Sequence, residues 1–169
     1  MTVVNVSTST YTRTHTAVFV ADKLRTLIRI LIVEYGLSTE KLLDAWNDWV
    51  SEAAQAWLIS GHLNEVVVEF YKPGSDSAVA RWDFPIAYDG DSDDEDLWVD
   101  KAFFRTSVLK AKRPPANCTY RIVLIVASGA PKVYGVSDTT LRSVAQLTAR
   151  TQGTVLSTRD IMASVRTYQ

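Results

Sequence analysis

The chain is poor in the residues that usually announce chemistry. Its 169 residues hold one cysteine, Cys118, and two histidines, His15 and His62. A lone thiol excludes an internal disulfide and a multi-cysteine zinc site, and it points to a reducing, cytosolic compartment. Neither sign of charge is in excess. Eighteen Lys and Arg against nineteen Asp and Glu leave a net charge of −1, so no overall field draws the chain to nucleic acid or to an anionic membrane. The basic residues are scattered rather than striped, which argues against direct nucleic-acid binding. No apolar run reaches bilayer length, because Asp22, Arg25 and Arg29 interrupt the best one. Residues 1–6 lack the basic start and apolar core of a signal peptide.

Catalytic signatures are missing too. There is no G-x-x-x-x-G-K, G-x-S-x-G or H-E-x-x-H. His15, His62 and Cys118 have no partner at a useful spacing, so they read as surface or capping histidines and an inert thiol. Residues 89–100 contain seven acids. They fail as a calcium loop, because Asp94 stands where the turn needs glycine and Asp100 where a bidentate Glu belongs. A solvated loop running into a helix start fits better. Neither a cofactor nor a metal is expected.

What is present suits one globular domain. The hydrophobic fraction is 47% and the mean hydropathy is −0.01, both ordinary for a soluble chain of this length. Eight of the first sixteen residues are Ser or Thr, which reads as an edge strand or a frayed arm. Residues 16–35 have helical periodicity with one narrow polar stripe, so a buried helix is expected there, stopped by Gly36. A second helix follows, with Ser38 at its cap, Trp46, Trp49 and Trp57 on its core face, and Gly61 at its end. Alternating residues 66–71 and 80–86 around the turn 72–76 predict a hairpin. Pro85 places its second strand at an edge, or marks it as one that becomes an edge. A third helix is expected near 94–112, closed by Pro114 and Pro115. Residues 118–128 are apolar on both strand faces and need cover on both. The order predicts an α+β fold, with three helices packed on one face of a small, mainly antiparallel sheet.

Residues 130–169 close the chain with eleven Ser or Thr, five basic residues and two acids. Short apolar doublets recur within them. The segment reads as one that docks on a core rather than forming one.

Three stretches carry a resemblance: Tyr11-Thr-Arg-Thr-His-Thr-Ala-Val-Phe-Val-Ala-Asp-Lys-Leu-Arg25, Arg81-Trp-Asp-Phe-Pro-Ile86, and Gly153-Thr-Val-Leu-Ser-Thr-Arg-Asp-Ile-Met-Ala163. With them the chain resembles the bacterial HORMA-domain proteins of anti-phage cyclic-oligonucleotide signalling (CBASS) operons. That resemblance implies a single HORMA domain over 1–169, with a mobile arm (1–13), a core (14–129) and a C-terminal safety belt (130–169). It implies a switch that wraps a closure-motif peptide under the belt. When closed, it would bind and activate a cGAS-like nucleotidyltransferase, and an AAA+ ATPase remodeller pulling on the arm would reset it. Peptide contacts would come from Tyr120, Ile122, Leu124, Val126, Val133, Tyr134 and Leu141. The closing strand would hold Val155, Leu156, Ile161 and Met162 and pair with the strand of Trp82 and Phe84, with a break at Pro85. The remodeller would engage Thr8, Thr10, Tyr11 and Thr12, and the acidic loop from Asp89 is a candidate contact for the synthase. A non-switching structural subunit, or a small enzyme using His15, His62 or Cys118, are the competing readings.

Overall fold

The computed structural model describes residues 2–88 and 97–169, with side chains from residue 13 onward. The acidic stretch 89–96 lies outside the described residues, and so do the calcium-loop and synthase-contact readings placed on it.

The first helix, α1 (Thr2–Glu34), buries one face along its described side chains. Ala17, Val20, Leu24, Leu27, Ile28, Leu31 and Ile32 lose all exposure. Its end follows the sequence. Gly36 adopts φ 72°, and the Leu37 N–H reaches back to the Ile32 carbonyl at 3.1 Å, closing the left-handed cap that glycine makes cheap. Its start does not. The helix runs back to Thr2, where the Ser and Thr content suggested a strand or a frayed arm. Extending a helix already nucleated downstream adds one hydrogen bond per residue, and this outweighs weak intrinsic propensity.

The second helical stretch is continuous but uneven: α2 (Glu40–Ala45), a π-helical turn (Trp46–Val50) and α3 (Ser51–Ile59). Ser38 Oγ accepts the Glu40 N–H at 3.2 Å. The last helix, α4 (Lys101–Lys110), is shorter than the spacing predicts and starts at Asp100, whose Oδ1 accepts the Phe103 N–H at 2.9 Å.

Six strands form one sheet: β1 (Leu63–Tyr71), β2 (Ala78–Ala87), β3 (Trp98–Val99), β4 (Thr119–Val126), β5 (Ala149–Ser157) and β6 (Met162–Tyr168). Their order is β3-β5-β6-β2-β1-β4, antiparallel throughout. One face carries the core. Trp82 lies at its centre, fully buried, with its Nε1–H donated to Tyr35 Oη at 2.8 Å. Phe104 meets Trp82 edge-on at 5.6 Å. Burial pushes the Tyr35 hydroxyl up to about 12, so it stays protonated and neutral in this core.

Two expectations are corrected here. The strand with Pro85 is not an edge, because β2 lies between β1 and β6. Arg81, Trp82 and Asp83 pair with β6, as do Ile86 and Ala87, while Phe84 and Pro85 have no β6 partner. A central strand tolerates the missing N–H where one ladder is already interrupted. The C-terminal segment also does more than dock. Val155, Leu156, Ile161, Ala163 and Val165 are fully buried members of the core.

No described helix is long and apolar enough to cross a membrane.

Candidate functional site

Strand β4 ends the sheet order and is paired only with β1. Which of its backbone groups are free follows from one bond and the alternation of the ladder. The Ala127 N–H donates to the His62 carbonyl beside β1 at 2.8 Å. Residues two apart point the same way, so 121, 123 and 125 face β1. The N–H and C=O of Ile122, Leu124 and Val126 face outward. Lys41 Nζ reaches the Tyr120 carbonyl at 3.4 Å, which agrees with that phase. Among the described residues no strand occupies this edge.

Facing the edge is the connection 127–148, which leaves β4 and returns along it before reaching β5 at the far side of the sheet. Between them lies a cleft of about 800 Å³. Ile122, Leu124 and Val126 line it, as does Val133. Three residues assigned to it from sequence do not. Tyr120 turns its ring into the core, where its hydroxyl donates to the Ser38 carbonyl at 2.6 Å and accepts the Leu42 N–H at 3.0 Å. Tyr134 is 97% exposed and outside the lining, and Leu141 lies further along, half-buried.

The sequence missed two walls. Trp49 and Trp57 line the helix side. Helical spacing puts both in the core, but the π turn adds about one residue to the period, and Trp49 comes out half-exposed. Trp57 is buried, and its Nε1–H donates to the Pro131 carbonyl at 2.7 Å, pinning the start of the connection to α3. On the opposite side of the sheet Arg121, Asp138 and Thr139 complete the lining.

The connection is fastened at its other end by charge. Glu69 on β1 is fully buried. It accepts the Arg142 main-chain N–H at 2.6 Å, Arg142 Nη1 at 3.2 Å and Arg121 Nε at 2.6 Å. Arg142 Nε also donates to the Ser75 carbonyl at 2.9 Å, and its guanidinium lies 3.4 Å from the Tyr71 ring centre. Arg121 also donates from Nη1 to Thr139 Oγ1 at 2.8 Å and from Nη2 to the Thr140 carbonyl at 2.5 Å. Ser143 bonds to the β2 end of the β1–β2 turn, its N–H donating to the Asp76 carbonyl and its carbonyl accepting the Ala78 N–H.

A second cluster holds β6. Asp83, fully buried on β2, takes a two-pronged pair from Arg81 at 2.7 Å each and a third bond from Arg166 Nη2 at 2.9 Å. Arg166 also reaches Glu65 at 2.7 Å. Hydrogen bonding to Asp83 pushes the Arg166 pKa above its ordinary value, so the guanidinium is charged at any working pH. Its Nε is the one buried side-chain nitrogen or oxygen without a partner among the described residues.

Of the four residues assigned to a closing strand, only Met162 pairs with β2, opposite Ala87. Val155 and Leu156 belong to β5, one strand further out, and Ile161 sits in the turn between. Thr8, Thr10, Tyr11 and Thr12 fall on α1, with side chains outside the described residues. The first described side chain, Arg13, forms an ion pair with Asp160 in the β5–β6 turn at 2.5 Å.

The residues tested for catalysis are in unlike settings. His15 is exposed on α1, and His62 Nδ1 meets Ser60 Oγ at 2.9 Å. Cys118 is buried, and burial pushes its thiol up, away from thiolate chemistry. No group of three or more potential metal ligands occurs among the described residues.

The family model described as Bacterial HORMA domain 2 matches residues 1–169. No curated protein matches. Several solved structures share the fold. A chain of a mitotic checkpoint complex superposes with TM-score 0.71 at 9% identity, over 90% of this chain and 97% of that one. The E. coli MS115-1 HORMA:CdnC:Trip13 complex gives 0.61 at 14% identity, over 92% and 89%. C. elegans HTP-2 bound to a HIM-3 closure motif gives 0.59 at 12% identity, over 85% and 84%.

Proposed function

The chain belongs to the Bacterial HORMA domain 2 family, and from that premise we propose that it is a peptide-binding conformational switch. A guest peptide adds as a strand to the outer edge of β4 and is covered by 127–148. The observation that supports this most is the row of outward backbone groups at Ile122, Leu124 and Val126 facing an open cleft. Such an edge takes an extended peptide through main-chain hydrogen bonds, and the walls add selectivity. Under this proposal the arrangement with β6 on β2, at the opposite side of the sheet from β4, is the closed one. On this reading 130–169 act as the belt, 14–129 as the core and 1–13 as the arm.

The finer role follows from the resemblance. In the closed form the chain would engage and activate a cGAS-like cyclic-oligonucleotide synthase in phage defence in the cytoplasm. An AAA+ remodeller would reopen it. The E. coli MS115-1 HORMA in complex with CdnC and Trip13 supports such partners, and HTP-2 with its closure motif supports the guest. The chain then works as an adaptor rather than an enzyme.

Proline scanning tests the guest berth. The Leu124 N–H points outward and is not spent on β1, so Leu124→Pro removes a bond that only a guest would use. We expect it to abolish capture of a partner-derived peptide while the fold persists. Val123→Pro, whose N–H faces β1, is expected to unfold the domain. A folded Leu124→Pro variant that still captures peptide normally would remove the strand-addition reading.

The reset step has a structural handle. Traction that unwinds the start of α1 reaches Arg13, and with it the tie to Asp160 between β5 and β6. A partly exposed pair contributes at most about 1 kcal/mol, so Asp160→Ala is expected to speed exchange of the β6 amides roughly two- to fivefold. Unchanged exchange would mean that the arm and the hairpin are not coupled through this contact.

A further inference from the structure

The cleft is amphipathic across its width, and we infer that its guest is a strand of about six or seven residues with alternating character. Apolar side chains would face Trp49 and Trp57, and a basic side chain between them would face Asp138. This inference rests on the peptide-capture reading above.

The length follows from the edge. The lining along β4 runs from Arg121 to Ala127, and at about 3.3 Å per residue that admits six or seven guest residues. The alternation follows from the sheet. Ile122 and Leu124 pack toward the helices and the tryptophans, whereas Arg121 lies on the other face beside Glu69. A guest strand in register with β4 sends alternate side chains to the same two faces. On the helix side it meets indole and aliphatic surface. On the far side it meets Val123 beside Arg121, and the stretch 137–139 that the Thr139 hydroxyl ties to Arg121.

The charge preference follows from what is already spent. Arg121 is committed to Glu69, Thr139 and Thr140. Asp138 is exposed and has no hydrogen-bond or ion-pair partner among the described residues. It is the one carboxylate among the described residues of the lining. Lys132, the cation of the lining with no partner among the described residues, follows Pro131, whose carbonyl is held by Trp57. It therefore stands at the Val126 end and does not neutralise Asp138 at the Arg121 end. The preference for a cation is local to that end.

The test uses terminally blocked seven-residue peptides and the full chain. One peptide alternates Leu or Val with Lys, and a block isomer has the same composition with its apolar residues contiguous. A third replaces Lys by Glu in the alternating pattern. Binding is followed through the fluorescence of Trp49 and Trp57 and by a labelled-peptide titration. The alternating Lys peptide is expected to bind at least tenfold more tightly than its block isomer. Asp138→Lys, a change at an exposed position, is expected to weaken the Lys peptide about tenfold and to favour the Glu peptide, as reversal of one partly screened charge implies. Equal binding of the alternating and block peptides, or indifference to Asp138→Lys, would overturn the inference and leave peptide capture standing. If none of the three binds, while Leu124→Pro also leaves capture of a partner-derived peptide unchanged, the capture reading itself fails.

Discussion

Arg142→Ala is expected to let a captured peptide escape roughly 30- to 150-fold faster. The main-chain bond from residue 142 to Glu69 survives the substitution. What is lost is the Nη1 contact to Glu69, the Nε bond to Ser75 and the packing over Tyr71. A charged hydrogen bond contributes about 1.5–3 kcal/mol at best, and the side chain is 21% exposed, so about 2–3 kcal/mol is a fair total. At 1.4 kcal/mol per factor of ten that gives the stated range. The global fold should be nearly untouched, because the buried Glu69 keeps its bonds from Arg121 Nε and from the residue 142 N–H. Two measurements check it: peptide dissociation by competition, and amide exchange across 137–148 in the free protein. Exchange in the free protein isolates the fastening from the guest. A variant with wild-type exchange there would show that Arg142 does not hold the connection.

Asp83→Ala should act on the fold as a whole. The carboxylate is fully buried and neutralises Arg81, itself nearly buried, while anchoring Arg166 of β6. Removing it strands guanidinium charge against the sheet, a change that costs about 3–5 kcal/mol. For a domain of this size that lowers the melting temperature by roughly 10 °C. Asp83→Asn should cost less, since it keeps hydrogen-bond acceptance at one oxygen. Arg81 and Arg166 also lie over the Tyr168 ring, at 4.6 and 5.7 Å. The fluorescence and exchange of the chain end should therefore report the loss before global melting does. A melting temperature within a degree or two of the parent would mean that β6 is held by its apolar residues alone.

The parts of the fold that could be read from sequence are those with an unbroken period. The apolar circumference of 16–35, the alternation of 66–71 and 80–86 and the two-faced strand at 118–128 each repeat without interruption, and each is an element of the structure. β5 and β6 were harder to see. β5 carries Gly153 at φ 118°, and its pairing with β6 shifts register between Thr151 and Gly153 and again between Thr154 and Leu156. Two bulges destroy the alternation that reveals a strand, so Val155 and Leu156 appeared only as a doublet. The same physics explains Trp49, whose place in the cleft depends on a single wide turn that helical spacing cannot anticipate. The charged residues that fasten the connection lie at positions 69, 121 and 142, and those that hold β6 at 65, 81, 83 and 166. Nothing in a linear chain marks Glu69 and Arg142 as partners. One signal was available. Glu69 and Asp83 each fall within an otherwise apolar strand, and a carboxylate in that setting needs a cation from elsewhere.

The connection from β4 to β5 is tied down at both ends, to Trp57 near its start and to Glu69 near its finish. A linear guest lying beneath it would be threaded, like an axle through a ring. A short synthetic peptide with free ends could slide out lengthwise with every tie intact. The same stretch embedded between two folded domains could not, because bulk on both sides blocks the exit. Residence times measured on peptides would then understate those of whole proteins, and the difference should grow with the size of the flanking stoppers rather than with any added contact.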